Sequence, residues 1–308
     1  MKVTEQLQDP NQNKQQHCGY VAIIGRPNVG KSTLLNNILG MKLSITSRKP
    51  QTTRHQILGV KTTEKFQAIY VDTPGIHQRR GTAINKYMNR AATSVLNDVD
   101  VILFVVQVKQ WTEEDQAIVE KLKSVECPVI LVVNKMDKLA SKRELLPLIS
   151  ELSTRYDFTE VVPVSAVNGM NVDVLEQKVL ALLPENDHFY ADDQVTDRSM
   201  RFLASEIIRE KLIRELGQEL PYTCTVDIDK YIEDPDIVRI HATIYVESTG
   251  QKAIIIGKKG ARLKSIGTAA RQDISKLVDS KVYINLWVKV REGWSNDERA
   301  LRGLGYSE

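Results

Sequence analysis

Residues 25–32, Gly25-Arg26-Pro27-Asn28-Val29-Gly30-Lys31-Ser32, form a complete GxxxxGK[ST] phosphate-binding loop. Residues 20–24 before it are apolar and predict a buried strand, and the apolar residues of 34–39 after it predict a helix. The motif requires this strand–loop–helix context. Its glycines let backbone N–H groups surround phosphate oxygens at a helix N-terminus, where the helix dipole favours anions. We therefore predict that residues 25–32, together with Thr33, bind the phosphates of a nucleotide.

Two further motifs concern the phosphates and a metal ion. In a phosphate-binding loop the lysine reaches the β- and γ-phosphates and the following hydroxyl binds Mg²⁺, roles that fall on Lys31 and Ser32. Asp72-Thr73-Pro74-Gly75 follows the apolar residues 67–71. We expect the Asp72 carboxylate to contact Mg²⁺ indirectly and the Gly75 N–H to touch the γ-phosphate.

The base that the site selects is indicated further along the chain. Asn134-Lys135-Met136-Asp137 follows the apolar residues 128–133, and Ser165-Ala166 follows residues 161–164. A carboxylate at Asp137 accepts hydrogen bonds from two guanine N–H groups that adenine lacks, and a wrong base would leave it unpaired. We expect the Ser165 and Ala166 N–H groups to reach the guanine O6. Each motif ends an apolar strand, so the sequence predicts an α/β phosphate-binding-loop GTPase domain with a mostly parallel sheet.

Composition limits the class of protein. A chain of 308 residues has room for two domains, and the nucleotide motifs fit within residues 19–184. The three cysteines and five histidines are dispersed, which predicts neither a disulfide framework nor a zinc site. The apolar runs are too short for a membrane span, and no signal peptide is evident, so we expect a cytoplasmic protein. Residues 1–18 are rich in Gln and Asn and predict a disordered tail.

Positive charge is concentrated in one stretch. Residues 250–291 hold ten Lys and Arg against two Asp, a net charge of +8, whereas the whole chain carries only +3. The rest of the chain is therefore net negative. Such a concentration is expected of a nucleic-acid surface, although a solvated basic helix would have the same composition.

The pattern inside this stretch favours RNA. Ile256-Gly257-Lys258-Lys259-Gly260 is a GxxG loop, and residues 261–278 after it predict a helix that carries Lys264. In a KH domain such a loop clamps four nucleotides by their backbone. An amphipathic helix at 198–216, strands at 222–232 and 237–247, and a strand at 281–291 surround it. The order α-β-β-α-α-β predicts an α+β type II KH domain at 200–291, after a linker at 185–199 and before a C-terminal tail or helix at 292–308.

The two halves together resemble the Era family of bacterial ribosome-assembly GTPases. The resemblance extends to residues 47–55, 286–294 and 297–301 and covers nearly all of the chain. It implies a Ras-like GTPase that binds small-subunit (16S) ribosomal RNA near its 3′ end on the pre-ribosomal subunit and assists late subunit assembly. It also implies peripheral association with the inner face of the cell membrane in some members. We expect a monomer.

The resemblance also bears on catalysis. Ile76 stands where Ras-type enzymes carry the glutamine that orients the attacking water, so we expect slow intrinsic hydrolysis. Many Era-like relatives use an asparagine at the position of Asn28 beside a K⁺ ion. Asn28 is therefore either a ligand of such a K⁺ ion or only a turn residue of the loop. We expect Thr53, with Thr52 as the alternative, to be the Mg²⁺ ligand of the first switch segment, switch I. Arg79 and Arg80 we expect to be solvated.

These features predict a molecular switch in which GTP orders the switch segments and changes how the KH domain presents its loop. The acidic linker, with little apolar pattern, is consistent with such reorientation. Two alternatives stay open. In the first, the GTPase domain is only a structural anchor for an RNA-binding module. In the second, the protein is a membrane-associated regulatory GTPase whose basic segment lies on lipid.

Overall fold

The computed structural model describes residues 16–47, 49, 52–76, 82–139, 141–216 and 223–306. Most of the predicted N-terminal tail, and both Arg79 and Arg80, lie outside the described residues. The first strand begins at His17, so the predicted tail is two residues too long. The side chain of Cys18 is fully buried and the strand already pairs at His17, which is why these residues are ordered despite the polar segment before them.

The first half of the chain is built on a six-stranded sheet. Its spatial order is β2-β3-β1-β4-β5-β6, with β2 antiparallel to β3 and the other pairs parallel. The strands are β1 His17–Ile24, β2 Ile57–Thr62, β3 Phe66–Asp72, β4 Val101–Gln107, β5 Val129–Asn134 and β6 Glu160–Pro163. This confirms the predicted mostly parallel sheet. The strands are apolar on both sides because helices cover both faces of a parallel sheet.

Five helices form the two covering layers. They are α1 Lys31–Leu39, α2 Ala83–Ser94, α3 Glu113–Leu122, α4 Leu145–Ser153 and α5 Val172–Leu180. The first core joins α1 and α5 to one face of the sheet, and the second joins α2, α3 and α4 to the other. The carboxyl ends of the parallel strands stay open between the layers, where α/β sheets bind ligands.

The second half has the predicted order of a type II KH domain. Its elements are α6 Met200–Glu215, β7 Cys224–Asp234, β8 Ile237–Val246, α7 Thr249–Ile256, α8 Ala261–Leu277 and β9 Lys281–Val290. The central strand β8 pairs antiparallel with β7 and parallel with β9. The core lies between one face of this sheet and helices α6, α7 and α8. The alternating apolar residues of β9 point into it, as the sequence predicted.

The segment between the domains is attached to the GTPase sheet. Val60 donates its N–H to Val195 O at 2.8 Å, and the Thr196 hydroxyl donates to Leu58 O at 2.7 Å. The Gln67 side chain accepts the N–H groups of residues 189 and 190 at 2.8 and 2.9 Å. The segment is therefore attached in this structure, and the reorientation that its composition suggested stays a prediction. Its polar backbone binds the exposed edge strand β2, which composition alone does not reveal.

The C-terminal segment folds back between the two halves. It contains a short 3₁₀ turn at Trp294–Asn296 and helix α9 at Glu298–Gly303. Trp294 is fully buried and donates its indole N–H to Thr223 O at 3.2 Å. The same apolar cluster includes Ile84 of α2 and Tyr306. The predicted C-terminal helix therefore packs on the GTPase half as well as on the KH half.

Most of the charged residues near the middle of helix α6 are not in water. Glu206, Arg209 and Glu210 are buried where the helix meets Lys42, Thr46 and Thr52 of the GTPase half, and Lys211 is buried beside Asp273 of α8. The sequence pattern correctly located the apolar stripe and gave no sign that the polar stripe packs on another domain. Among the described residues, no helix combines the length and apolar character that crossing a membrane requires.

His55 lies at the centre of this domain interface. Its ring stacks on Tyr306 with centroids 4.5 Å apart and contacts Tyr87 and Phe202 edge-on. Burial lowers the pKa of His55 to about 4, and nearby arginines act in the same direction against the charge of Glu206. The folded protein therefore favours the neutral imidazole.

We predict that acidification destabilises the protein partly through His55. Its stabilisation is complete above the unfolded pKa of about 6.5 and falls as the pH drops toward about 4. At pH 5 the free energy of unfolding is therefore about 2 kcal/mol lower than at pH 8 through this residue. His55→Phe keeps the ring but cannot be protonated, so its unfolding free energy should change less between these two pH values. Urea unfolding measures the difference.

His241→Gln, on the KH sheet away from the interface, is the matched control and should retain the wild-type loss because His55 is still present. If His55→Phe loses as much stability as wild type on acidification, the interface histidine is not the cause.

Candidate nucleotide-binding site

A cleft of about 1030 Å³ opens at the carboxyl ends of the strands. Its lining comes from the phosphate-binding loop, from Gly75 of the Asp72–Gly75 motif, from the described residues of switch I (45–47, 49, 52 and 53), and from the two base-recognition motifs. Ile213 and Arg214 of the KH helix α6 also line it. The structure therefore brings the four predicted motifs together, and it adds a wall from the second domain that the sequence did not predict.

The phosphate-binding loop is held in shape by close packing. Gly30 has a φ of 109°, and a Cβ there would lie 2.2 Å from the Asn134 side-chain nitrogen. Lys31 is buried, and its Nζ donates to Gly25 O at 2.9 Å and to Arg26 O at 3.2 Å. Burial lowers the pKa of Lys31 to about 8, against the attraction of the Asp72 carboxylate. A phosphate beside this ammonium would stabilise its charged form.

Two residues predicted at the nucleotide have structural partners. The Arg26 guanidinium bonds to Asp115 Oδ2 at 3.0 Å, at the start of α3, and to Gln110. The Thr73 hydroxyl donates to Ile23 O at 2.9 Å and is fully buried. Both side chains therefore anchor the loops that carry them, while their neighbours line the cleft.

The three predicted metal-site residues converge beside Lys31. The hydroxyls of Ser32 and Thr53 lie 2.8 Å apart, and the Ser32 hydroxyl donates to Asp72 Oδ2 at 2.6 Å. Thr52, the alternative ligand, uses its hydroxyl to donate to Lys49 O at 2.7 Å. The geometry therefore favours Thr53 over Thr52.

The donor set suits Mg²⁺. It consists of two hydroxyl oxygens and a carboxylate, and hard cations prefer oxygen ligands. Within the described residues, the other carboxylate oxygen of Asp72 is buried without a hydrogen-bond partner, as expected of an acceptor for a metal-bound water. Burial raises the pKa of Asp72, while the Ser32 hydrogen bond and the Lys31 charge oppose that shift. The described residues contain no cluster of His, Cys, Asp and Glu that fits a different metal centre.

The base-recognition residues form one connected network. Asn134 donates from its side chain to Val29 O at 2.8 Å, which ties the base motif to the phosphate-binding loop. The Lys135 ammonium spans from Asn28 O at 2.6 Å to the Gln107 side chain at 2.7 Å. Asp137 is exposed toward the cleft, as an acceptor for a base requires.

The amides of the last motif have protein partners in this structure, and their predicted contact with the guanine O6 stays a prediction. The Ser165 N–H donates to Met170 O at 3.1 Å and the Ala166 N–H to the Asn134 side chain at 3.0 Å, so protein acceptors already use both. The Ser165 hydroxyl instead donates to Asp137 Oδ1 at 2.6 Å and orients that carboxylate.

The three residues predicted near the γ-phosphate differ in packing and exposure. A Cβ on Gly75 would lie 2.7 Å from the Pro27 nitrogen, so only glycine fits there between Pro74 and the loop. Ile76 is buried in the core against the second helix layer and cannot orient water. Asn28 is exposed with a left-handed φ of 65°, which asparagine tolerates better than most residues.

The GxxG loop connects α7 to α8 at the surface. Gly257 has a φ of 70°, and a Cβ there would meet the Arg262 Cβ at 2.8 Å. Gly260 has a φ of 78° and open space on its Cβ side, and the side chains of Lys258 and Lys259 are exposed. Of the two other residues predicted to bind RNA, Ile256 packs partly on the KH core, whereas the Lys264 side chain is exposed.

The main residues that sequence reasoning missed are those joining switch I and its flanking residues to the KH half and the C-terminal segment. Glu210 accepts the Thr46 N–H at 2.9 Å and the Lys42 ammonium at 2.5 Å. The Arg54 guanidinium donates to Cys224 O at 2.9 Å and to the Tyr306 hydroxyl at 3.1 Å. The charged residues of α6 recur every three or four positions, but the same spacing describes an ordinary solvated face.

Comparisons with known proteins agree with this arrangement. The family model described as 50S ribosome-binding GTPase matches residues 20–135, and the KH domain model matches residues 219–295. GTPase Era of Ectopseudomonas mendocina is 60% identical over 289 residues, which cover 94% of this chain and 97% of that protein. GTPase Era of Pseudomonas aeruginosa (strain LESB58) is 59% identical over 291 residues, covering 94% and 95%.

Two solved structures match over both domains. One is a crystal structure of an Aquifex aeolicus Era variant bound to GDP and AlF4⁻, and the other is Era in complex with MgGDPNP and nucleotides 1506–1542 of 16S ribosomal RNA. Each is 41% identical with a TM-score of 0.92 and covers 95% of this chain and all of that one.

The fold and the cleft define a GTPase of the phosphate-binding-loop class, joined to a type II KH domain. The high sequence identity to GTPase Era proteins extends over both domains. This chain belongs to the Era family of GTPases.

We predict that Asp137 selects guanine. Asp137→Asn should weaken GTP binding by about 2–4 kcal/mol, because two charge-assisted hydrogen bonds to the base are lost. The same variant should gain affinity for xanthosine triphosphate, whose base edge suits an amide. Competition against a fluorescent guanine nucleotide measures both changes.

Asp173→Asn, on the exposed surface of α5 outside the cleft, is the control and should bind GTP as wild type does. Tight binding of ATP by the unmodified protein would contradict guanine selection.

Proposed function

We propose that this protein is a GTP-driven switch that binds the 3′ end of small-subunit (16S) ribosomal RNA and assists late small-subunit assembly. One observation carries the proposal. Residues 46–55 reach the metal site through Thr53 and contact the KH half through Thr46, Thr52 and Arg54. A single segment therefore touches the site that would sense the γ-phosphate and the domain that would hold RNA.

The proposal assigns a function to each part of the chain. Residues 19–184 bind and hydrolyse GTP, residues 200–291 bind RNA, and residues 185–199 and 292–306 hold the two together. The relative whose structure contains a 16S ribosomal RNA segment supports this assignment, since it matches this chain over both domains. We further propose that the protein acts as a cytoplasmic monomer.

The chain's own residues bind and orient the nucleotide. Lys31 would neutralise the β- and γ-phosphates, Asp137 would fix the base, and the hydroxyls of Ser32 and Thr53 with Asp72 would hold Mg²⁺. When bound, Mg²⁺ neutralises charge that develops on the phosphates during hydrolysis. Because Ile76 cannot orient water, these residues bind GTP well and hydrolyse it slowly.

Hydrolysis is proposed to depend on K⁺ through Asn28. This residue lies at the mouth of the phosphate-binding loop, with its backbone in a left-handed turn. If it helps to hold K⁺ beside the phosphates, turnover should rise about tenfold or more when K⁺ replaces Na⁺, since a positive charge there stabilises the transition state. Asn28→Ala should remove the difference.

Steady-state phosphate release in the two salts at equal ionic strength measures this effect. Asn28→Gly, which preserves the left-handed turn without the side chain, separates the cation from the turn. K⁺ stimulation that survives in both variants would assign Asn28 to the turn alone.

RNA is proposed to bind at the GxxG loop. Replacing Lys258 and Lys259 with Asp puts negative charge where phosphates approach, so affinity should fall at least tenfold and its salt dependence should flatten. Hydrolysis without RNA should stay near the wild-type rate, because neither residue lines the nucleotide cleft. Fluorescence titration of a short single-stranded oligonucleotide with the rRNA 3′-end sequence measures this.

The same titration tests the switch. If GTP changes how the KH half presents its loop, RNA affinity should differ by roughly 5–150-fold between complexes with a GTP analogue and with GDP. Lys281→Asp and Lys289→Asp on β9 are the charge-matched controls for electrostatic effects away from the loop. Equal affinities in the two nucleotide states would leave the GTPase half as a structural anchor only.

The membrane alternative has less support. The inner face of α8, with Ile266, Ala270 and Ile274, is buried in the KH core, and its exposed residues are mainly polar or small. A helix that lies on lipid needs a free apolar face opposite its basic residues. Binding to anionic vesicles that RNA does not compete would favour the membrane instead.

A further inference from the structure

Arg209 of the KH helix α6 contacts switch I directly before the predicted metal ligand. Its guanidinium donates to Thr52 O, the carbonyl of the peptide bond that joins Thr52 to Thr53. The Thr53 hydroxyl lies 2.8 Å from that of Ser32 in the metal site. One peptide unit therefore separates a KH side chain from a side chain that reaches the metal.

This guanidinium is itself held rigidly. Its Nε and Nη2 donate to the two carboxylate oxygens of Glu206 at 2.7 and 2.5 Å, in a two-pronged pair one helical turn away. Arg209 is 1% exposed and Glu206 is 5% exposed. Burial alone would raise the pKa of Glu206, but the guanidinium outweighs it and the net pKa is lowered. Both groups are therefore charged, and the pair has a fixed geometry.

Other contacts on the same helix grip the segment farther from the metal site. Thr46 is bound by Glu210 and Arg214, and Lys49 donates to the carbonyls of Ile213 and Leu216 at the helix end. These contacts hold the segment near the KH half, whereas only Arg209 bonds to the Thr52 carbonyl in the described residues. On the other side of Thr53, the Arg54 guanidinium bonds to Cys224 O and to the Tyr306 hydroxyl. The KH half therefore holds Thr53 from both sides, and Arg209 is the contact that α6 supplies.

We propose that Arg209, oriented by Glu206, is a positioning residue of the GTPase site that the KH domain supplies. It fixes the Thr52 carbonyl and so places the Thr53 hydroxyl for Mg²⁺. The inference rests on the proposed assignment of Thr53 as a metal ligand. Some residues do not touch a metal ion but hydrogen-bond to one of its ligands and orient it. Removing such a residue commonly weakens metal affinity by about 10–100-fold.

A pair of variants separates positioning from simple stability. Arg209→Met leaves the Glu206 charge buried and unpaired, so it should unfold at a temperature roughly 5–10 °C lower than wild type. Adding Glu206→Leu removes that charge and should restore most of the loss, because apolar replacement of a buried ion pair is often neutral. Neither variant can bind the Thr52 carbonyl.

Two measurements on the full chain read out the position of Thr53. The first is the Mg²⁺ concentration at half-saturation for binding a fluorescent, non-hydrolysable GTP analogue, which should rise about 10–100-fold in both variants. The second is hydrogen exchange of the amides of residues 52–56 with analogue and Mg²⁺ bound, which should quicken about tenfold in both. Recovery of stability without recovery of these two values supports the proposal.

Asp273→Asn is the matched control at the interface. Asp273 accepts from Lys42 at 2.8 Å and also pairs with Lys211, but it does not contact residues 46–55 in the described structure. This variant should keep the wild-type Mg²⁺ dependence and exchange. A loss equal to that of the double variant would mean that any weakening of the interface loosens the switch, which would overturn a specific role for Arg209.

The variant Thr53→Ala tells whether a negative result contradicts the metal assignment of Thr53 or only the positioning role of Arg209. If it leaves the Mg²⁺ dependence unchanged, the metal assignment in the proposed function is wrong and the positioning role fails with it. If Thr53→Ala is impaired while Glu206→Leu with Arg209→Met behaves as wild type, the metal assignment stands and the buried pair is merely structural.

Discussion

The packing of helix α6 on switch I is the constraint on which the rest of the structure depends. Burying four charged residues on one helix face is costly unless each finds a partner. Here the partners include the backbone of residues 46–52 and the Lys42 ammonium. All four residues also have charged partners within the KH half, and the further contacts of Arg209 and Glu210 with Thr52, Thr46 and Lys42 favour this conformation of switch I.

This mutual dependence explains how two chemically separate sites can communicate. The nucleotide cleft selects one arrangement of switch I through Ser32, Thr53 and Asp72. The KH helix selects the same arrangement through the opposite side of the same segment. Any ligand that changes the position of Thr53 therefore changes the free energy of the domain interface, and by linkage the interface changes the affinity for that ligand.

The C-terminal segment strengthens this arrangement. Tyr306 stacks on His55 and accepts a hydrogen bond from Arg54, while Trp294 is buried between the KH sheet and α2. The aromatic cluster replaces water at the interface, which strengthens the neighbouring charged hydrogen bonds. Residues 185–199 add a further attachment along β2. The two domains are therefore joined at three places along the chain, although they carry distinct chemistry.

The sequence by itself determined the fold of each half and most of the nucleotide site. Fixed spacings such as Gly25 to Ser32 encode a local backbone shape, and local shape follows from nearby residues. Only the tertiary structure decided that the charged side of α6 is buried as well, that residues 185–199 are attached to the GTPase sheet, and that the Ser165 and Ala166 amides have protein acceptors. It also brought Arg209 to the carbonyl of Thr52, 157 positions earlier in the chain. Such contacts depend on how two independently patterned surfaces meet, and charged residues on a helix face have the same spacing whether they meet water or another domain.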